Sequence, residues 1–381
     1  MDKRVTYDDF IHTGRDTLAG RFLRTFWQPL FCSHELPAGR AVPVRIMSED
    51  FTLYRGESGA PHLVGFRCAH RGTQLSVGTV EEDCLRCYYH GWQYDASGQC
   101  IDQPAEPKPF AERVKIPAYP VREYLGLIFA YLGDGEPPPF PRYPKFESSD
   151  LTLDALKLDR ICNYFNNIDN SLDNAHVRFV HQRHRETAQD QVVKGDPIIA
   201  VAETDWGIRR HVKYPNGAEI TAFFGMPNIN YLNGQVVDPE IKRADVIIFK
   251  VPVDDERHAH FEVRAMPLTG DRAQRWLEQR REKRNLEASD RAQLVRSILE
   301  GKLTLADIDP KRTDYVMVED EIAQTGQTAI ADRNHERLGH SDNGVVMLRK
   351  LWERELARMV AGQPLKKWTY TPDMVPTYPA G

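Results

Sequence analysis

Four residues between positions 68 and 90 form two short pairs, Cys68-x-His70 and Cys87-x-x-His90. Each pair offers one thiol and one imidazole from a tight turn, donor types that iron and zinc both accept. Two thiolates on one iron and two imidazoles on the other suit a [2Fe–2S] cluster of raised potential, because neutral histidines make the iron they bind easier to reduce. Gly72 and Gly91 follow the two histidines; they let backbone approach such a cluster and donate N–H groups to its sulfides. A lone Cys or His is ordinarily a core residue, but four at these spacings, each pair followed by Gly, are hard to obtain by chance. The competing chemistry is tetrahedral zinc, since Cys84-x-x-Cys87 is also a CxxC. That choice leaves a well-placed Cys/His ligand idle, so Cys84 and Cys100 read as ordinary buried or half-buried thiols.

A second pattern, Asp173-x-x-His176-x-x-x-x-His181, lies in NNIDNSLDNAHVRFVH. On a helix, residues three apart share a face, so Asp173 and His176 point the same way. His176 and His181 are five apart, about 140° around a regular helix, and both reach one metal only if the helix bulges or ends between them. Two His and one carboxylate on one face of Fe(II) leave positions open for dioxygen and substrate. The pattern therefore asks for a third ligand from elsewhere. Taken alone, two histidines and some acids on a polar helix are ordinarily surface decoration.

The rest of the chain must position these groups. Its 381 residues fit two or three domains. With 41% apolar and 28% charged residues, composition argues against disorder and fibrous repeats. Fifty Lys plus Arg against 55 Asp plus Glu leave a net charge of −5, without the basic balance of a nucleic-acid binder. No run approaches the ~18 apolar residues of a membrane span, and the N-terminus lacks an apolar signal region. Six cysteines without a disulfide pattern fit a reducing compartment, so a soluble, cytoplasmic protein is expected. Short apolar runs between 43 and 132, punctuated by Gly, Pro and Asp, predict a β-rich domain after a short helical segment in RFLRTFWQPLF. GDGEPPPFPRYP at 133–144 reads as a stiff linker, which places the domains at 1–145 and 146–381.

In the second domain, Ile161, Phe165, Ile168 and Leu172 recur at helical period through 158–181. Strands return from about 197 to 266, the last two forming a hairpin around Asp254-Asp255-Glu256-Arg257. Charged 271–300 and amphipathic 344–361 read as helices, the latter a terminal lid on the sheet. The expected fold class is α+β, a small all-β domain followed by a sheet with helices on one side.

Cys68-Ala69-His70-Arg71-Gly72 and Cys87-Tyr88-Tyr89-His90-Gly91-Trp92 resemble the two loops of a Rieske iron–sulfur domain, over about 27–133 with flanking strands. Asn170-x-x-Asp173-x-x-His176-x-x-x-x-His181 resembles the iron-binding segment of Rieske non-haem iron oxygenases. The resemblance implies Cys68, His70, Cys87 and His90 as cluster ligands and His176 and His181 as ligands of a mononuclear Fe(II). It also implies a helix-grip catalytic domain, an antiparallel sheet curved around long helices. TDYVMVEDEIAQTGQTAIADR (313–333) is similar to the stretch carrying the third ligand, which becomes Asp320, although an acidic run such as EDE is ordinarily a solvated turn. By the same resemblance Asp173 is the inter-subunit electron bridge, and Asn170 hydrogen-bonds beside it or the iron. A homotrimer or a stacked pair of trimers follows.

No GxGxxG follows a strand, so electrons from NAD(P)H are expected through a separate flavin/iron–sulfur reductase or ferredoxin. The longer resemblance, from FWQPLFCSHELPAGRAVPVRI to QTAIADR, is to the phthalate dioxygenase and methoxyaryl-acid O-demethylase branch. It implies an aromatic carboxylate substrate, with O-demethylation of a lignin-derived methoxyaryl acid and release of formaldehyde as the first expectation. Ring cis-dihydroxylation of a phthalate-like acid is the alternative. Phe223, Phe224 and Met226 are candidates for an apolar pocket wall and Arg210 or Arg264 for its cation, though each is ordinarily sheet core or surface. Arg183-His184-Arg185 is a candidate for the pocket entrance. Two other classes remain open, a Rieske electron-transfer protein without catalytic iron and a zinc-stabilised binding module.

Overall fold

The computed structural model describes residues 4–173, 175–181, 198–215, 217, 219–235 and 244–369. The chain divides into two compact units, Thr13–Pro141 and a second made of residues up to His12 together with Arg142 onward. No helix among the described residues is long and apolar enough to cross a membrane.

The first unit opens with the helix Leu18–Arg24, whose N-terminus is capped by the Thr17 hydroxyl accepting from Gly20 N. The rest is β. Trp27–Cys32 pairs with Leu127–Tyr131, and that strand with Val121–Tyr124. A four-stranded sheet joins Ala41–Ile46, Glu49–Arg55, Pro61–Gly65 and Ala118–Tyr119. A second four-stranded sheet joins Thr79–Glu81, Cys84–Arg86, Gln93–Tyr94 and Cys100–Asp102. Tyr54, Val64, Leu75, Leu85, Trp92, Tyr94 and Ile116 form a core that also takes in Cys68 and Cys87. Burying this apolar set beneath two loops supports the loops that carry chemistry.

The second unit is built on a seven-stranded antiparallel sheet. Its order is Thr152–Arg160, His258–Met266, Ala244–Pro252, Ile229–Gln235, Glu219–Gly225, Gly207–Lys213, Ile198–Glu203. The last two strands in sequence form the expected hairpin, with Pro252 opposite His258. Every residue of His258–Met266 is buried, so both faces of the sheet are covered along that strand. One face is apolar: Phe249 meets Tyr143, Tyr231 meets Phe146, and Phe223 meets Trp206. The other looks onto helices and carries charge, since Lys250 is paired with His260 and reaches the helix Tyr164–Leu172. Long helices Gly270–Leu299 and Asn343–Val360 fall where period predicts them.

Two local differences from the sequence reading have plain causes. Residues 158–160 end a nine-residue strand rather than begin a helix. Leu156 and Leu158 alternate with Lys157 and Asp159 at period two, and the strand zips along His258–Met266 to Arg160 opposite His258. The helix begins after Asn163, whose side chain accepts from Phe165 N. Residues 5–12 pack with the second unit although they precede the first in sequence. Phe10 stacks on Phe165 with ring centroids 5.1 Å apart, and Ile11 O accepts from Asn163 Nδ2.

Candidate functional site

The two Cys/His loops of the first unit are built alike. In one, Cys68 N bonds to Thr73 O and Gly72 N to Cys68 O; in the other, Cys87 N bonds to Trp92 O and Gly91 N to Cys87 O. Both turns need a left-handed residue, supplied by Gly72 at φ 74° and Gly91 at φ 77°. Cys68 and Cys87 are buried, while the His70 and His90 rings meet edge-on with centroids 4.5 Å apart. Trp92 stacks against His70 at 4.6 Å and 7°. The Tyr94 hydroxyl lies 3.2 Å from Cys68 Sγ and accepts from Ala69 N. Burial raises the Cys68 thiol, the Tyr94 hydroxyl opposes that, and the nearby Cys87 adds to it. Partial burial, then His70 and Arg71, keep the His90 ring below its usual range and so neutral, the form that binds metal.

His70 Nδ1 is buried without a hydrogen-bond partner. An orphaned ring nitrogen beside two buried thiols is costly as it stands and is accounted for if it is a metal ligand. The donor set of two thiols and two imidazoles, on loops that carry their own glycines, fits a [2Fe–2S] cluster. Cys84 stands apart from this set, on the strand Cys84–Arg86.

In the second unit the helix Tyr164–Leu172 stops just before Asp173, which is extended at φ −84° and ψ 109°. Asp173 is therefore not one helical turn from His176 on a continuous helix. Its Oδ1 instead accepts from Ala175 N and His176 N, capping the short helix Ala175–Phe179. That helix ends before His181, which meets the condition under which two histidines five apart reach one point. Asp320 comes from the helix Tyr315–Thr325. Ligand atoms of His176, His181 and Asp320 all lie within 4.8 Å of one another. Asp320 Oδ1 is 3.3 Å from His181 Nε2 and 3.7 Å from His176 Nε2. Asn170 Nδ2 donates to the same carboxylate oxygen at 3.4 Å and lies 3.5 Å from His176 Nε2.

The three consecutive acids at 319–321 point three ways. Glu319 accepts from or pairs with His181 Nδ1 at 2.9 Å, leaving Nε2 to face Asp320. Glu321 is fully buried against Arg160 and Arg291. The solvated-turn reading of EDE does not hold, because successive helix residues rotate by about 100° and each finds a buried partner. Burial works against the charged His181 ring, but Asp320 and Glu319 outweigh it and lift its pKa to about 9. Burial likewise opposes ionisation of Asp320, yet His181 and His176 bring it to about 2. Asp173 is held below the usual range despite burial by His176 and by the backbone N–H groups it caps. Two imidazoles and a carboxylate converging with an amide, in a field of further carboxylates, fit a divalent cation, and this donor set is the one used for non-haem Fe(II).

Residues 26–123 match the family model for the Rieske [2Fe–2S] domain. Over 373 residues the chain is 29% identical to the 5,5'-dehydrodivanillate O-demethylase oxygenase subunit of Sphingobium sp. (strain NBRC 103272 / SYK-6), covering 94% of this chain and 81% of that protein. The chain belongs to the Rieske non-haem iron oxygenases. It is an α subunit and an oxidoreductase. This oxygenase is also 28% identical to the phenoxybenzoate dioxygenase subunit alpha of Ectopseudomonas oleovorans over 371 residues, 91% of this chain and 84% of that one. Its fold matches the oxygenase in the oxygenase–ferredoxin complex of carbazole 1,9a-dioxygenase, with TM-score 0.64 at 20% identity, covering 90% of this chain and 93% of that chain. The expected α+β class is borne out, an N-terminal β Rieske domain followed by a catalytic domain of antiparallel sheet and long helices.

Sequence reasoning missed several groups in the oxygenase's second unit. Glu319 was seen only as a neighbour of Asp320, and Lys250 not at all. Of the candidate pocket residues, Phe223 and Phe224 lie on opposite faces of the sheet, so they share no wall. Phe224 pairs with Asn230 on the helix-facing side, and Phe223 sits against Trp206. Arg210 Nη1 donates to Ser171 O, and Arg264 is buried beside Glu262. Arg183-His184-Arg185 lies outside the described residues.

Proposed function

We propose that this oxygenase oxidises an aromatic carboxylate by O-demethylation of a methoxylated aromatic acid. Cys68, His70, Cys87 and His90 would hold the cluster, and His176, His181 and Asp320 the mononuclear iron. When bound, the two groups supply one-electron storage and an open, reducible centre for dioxygen. The chain's own residues do the rest. Glu319 fixes the orientation of the His181 ring, Asn170 steadies the Asp320 carboxylate, and Asp173 holds His176 while serving as the inter-subunit electron bridge of a homotrimer or stacked trimers. One oxygen atom of O₂ enters a methyl C–H bond and the other leaves as water, with two electrons and two protons. The resulting hemiacetal breaks to a phenol and formaldehyde.

The observation that carries this reading is the likeness, along 94% of this chain and 81% of the other, to a subunit named for O-demethylation of 5,5'-dehydrodivanillate. The likeness to phenoxybenzoate dioxygenase favours a second reading, ring cis-dihydroxylation. Relatives named as oxygenase subunits, and a ferredoxin in one structural relative, support delivery of electrons by a separate reductase or ferredoxin. A cytoplasmic site belongs to the same proposal.

The test is the purified protein with a flavin/iron–sulfur reductase and a panel of methoxybenzoates, biaryl acids and phthalates, assayed for formaldehyde and for diols. Formaldehyde in step with oxygen uptake is expected; diols alone favour the second reading. About three irons and two acid-labile sulfides per chain are expected. His176→Ala should keep the cluster spectrum and lose turnover, and retained turnover would overturn the iron-site reading.

A further inference from the structure

The helix Tyr164–Leu172 ends in an unusual way. The last four carbonyls of a helix have no intrahelical donor, and the common remedy is a left-handed Gly just beyond the end. Here the following residue is Asp173, and it is extended. Asp173 N reaches back to Asp169 O at 3.2 Å. One more donor to these carbonyls comes from the sheet, Arg210 Nη1 to Ser171 O at 2.7 Å. Lys250 Nζ, also from the sheet, grips the same end one turn back: it donates to Asn167 O at 2.6 Å and to Ser171 Oγ, a hydroxyl that itself donates to Asn167 O. Lys250 itself is fixed by its backbone, which exchanges hydrogen bonds with Asn228 through Lys250 N and Lys250 O.

Lys250 is 3% exposed. Burial pushes its ammonium down to about 7, with the Asp320 charge pulling the other way. A methionine would fill the same space without desolvating a cation. What methionine cannot do is donate to Ser171 and Asn167, and an amine does so in either protonation state. Ser171 stands next to Asn170 and two residues before Asp173. The end that Lys250 holds therefore carries Asn170 and is the end from which the chain sets out to Asp173 and His176.

We propose that Lys250 is a positioning residue of the mononuclear iron site: it holds the last turn of the Tyr164–Leu172 helix through Ser171 and Asn167, so that Asn170, Asp173 and His176 keep their places. The inference rests on His176, His181 and Asp320 being the iron ligands. Lys250 touches none of them; it acts through the helix end.

The experiment titrates the full-length oxygenase, stripped of mononuclear iron but with its cluster intact, with ferrous ion under anaerobic conditions. His176→Ala tests the reading beneath the proposal, because wild-type Fe(II) affinity in that variant removes the iron site itself. With that site standing, Lys250→Met should weaken Fe(II) binding about tenfold, as expected when the two hydrogen bonds it makes to the helix are lost. The cluster's visible spectrum should be unchanged. Ser171→Ala, which removes the hydroxyl that accepts from Lys250 and donates to Asn167 O but little volume, should weaken binding about threefold. The double variant should lose less than the product of the two single losses, since both remove the Lys250–Ser171 contact. A lowered melting temperature with wild-type Fe(II) affinity in Lys250→Met overturns the proposal. If Lys250→Met does not fold, Ser171→Ala decides the matter, and wild-type affinity there overturns it equally.

Discussion

Truncating Phe10 tests whether the first dozen residues belong to the core of the catalytic unit. Phe10 is 4% exposed and stacks on Phe165 at 5.1 Å, with Tyr7 and Trp352 edge-on or tilted at 5.8 and 6.1 Å. Its carbonyl accepts from the Tyr164 hydroxyl, and the next carbonyl from Asn163 Nδ2. Phe10→Ala leaves both hydrogen bonds available, so the loss is one of packing alone. Removing a buried phenylalanine costs about 3–5 kcal/mol, of which about 0.5–1.5 kcal/mol belongs to each aromatic pair. At about 2–4 °C per kcal/mol for a unit of this size, the far-UV melting transition should fall by about 6–20 °C. Bleaching of the cluster colour, which reports on the other unit, should shift less. The helix that Phe10 covers also carries Asn170, so Fe(II) retention on heating should fall with the far-UV signal. A melting change of under about 2 °C would refute the argument, because it would mean that residues 5–12 lie on the unit without stabilising it.

Glu319→Ala leaves His181 Nδ1 without its partner and should raise the Fe(II) dissociation constant about tenfold; an unchanged constant in anaerobic titration would deny Glu319 its orienting part. Asp173→Asn should load both metal centres yet slow turnover by about tenfold or more, and a wild-type rate would remove its bridging role. Glu203 is held at about 2, first by the Arg354 guanidinium and further by Lys366. Its depressed pKa means that the pair stabilises above the unfolded value near 4.5 and loses that effect as pH falls toward 2. About a third exposed and screened by solvent, it is worth about 1 kcal/mol. The melting gap between wild type and Glu203→Gln should therefore narrow below pH 4.5, and a gap constant from pH 7 to 3.5 would contradict this sign.

The cluster loops were legible because everything they need is local. Both candidate ligands of each loop, and the glycine whose positive φ closes it, lie within five residues, so spacing alone carries the geometry. The candidate iron site was legible only in part. His176 and His181 announce a metal and also announce that the helix must break, but the break itself, at Asp173 and again after Phe179, comes from capping and tertiary contacts. Asp320 is brought to them across the fold, and no periodicity points from one to the other; only the resemblance did. Glu319 and Glu321 show the same limit from the other side. An acidic triplet on a helix looks solvated until His181, Arg160 and Arg291 arrive from distant elements.

The buried charges of the sheet were the least legible of all. ADVIIFKVPV and HAHFEVRAM read only as the strands of a hairpin, and alternation of polar and apolar residues in a strand ordinarily means one side in water. Instead the polar side lies under helices. There His258 sits between Cys162 O and Asn167 Nδ2, Glu262 is ionised against Arg264 and His260, and Lys250 reaches the end of the iron-site helix. Burial drives His258 well below its usual range, so the ring is neutral and able to accept from Asn167. An apolar face would pack such helices at less cost in desolvation, but it would let them slide and turn. Directional bonds from fixed strands to Asn167 and Ser171 set the position of one helix end to within a hydrogen bond, which is the tolerance that three candidate ligands on separate elements require of each other.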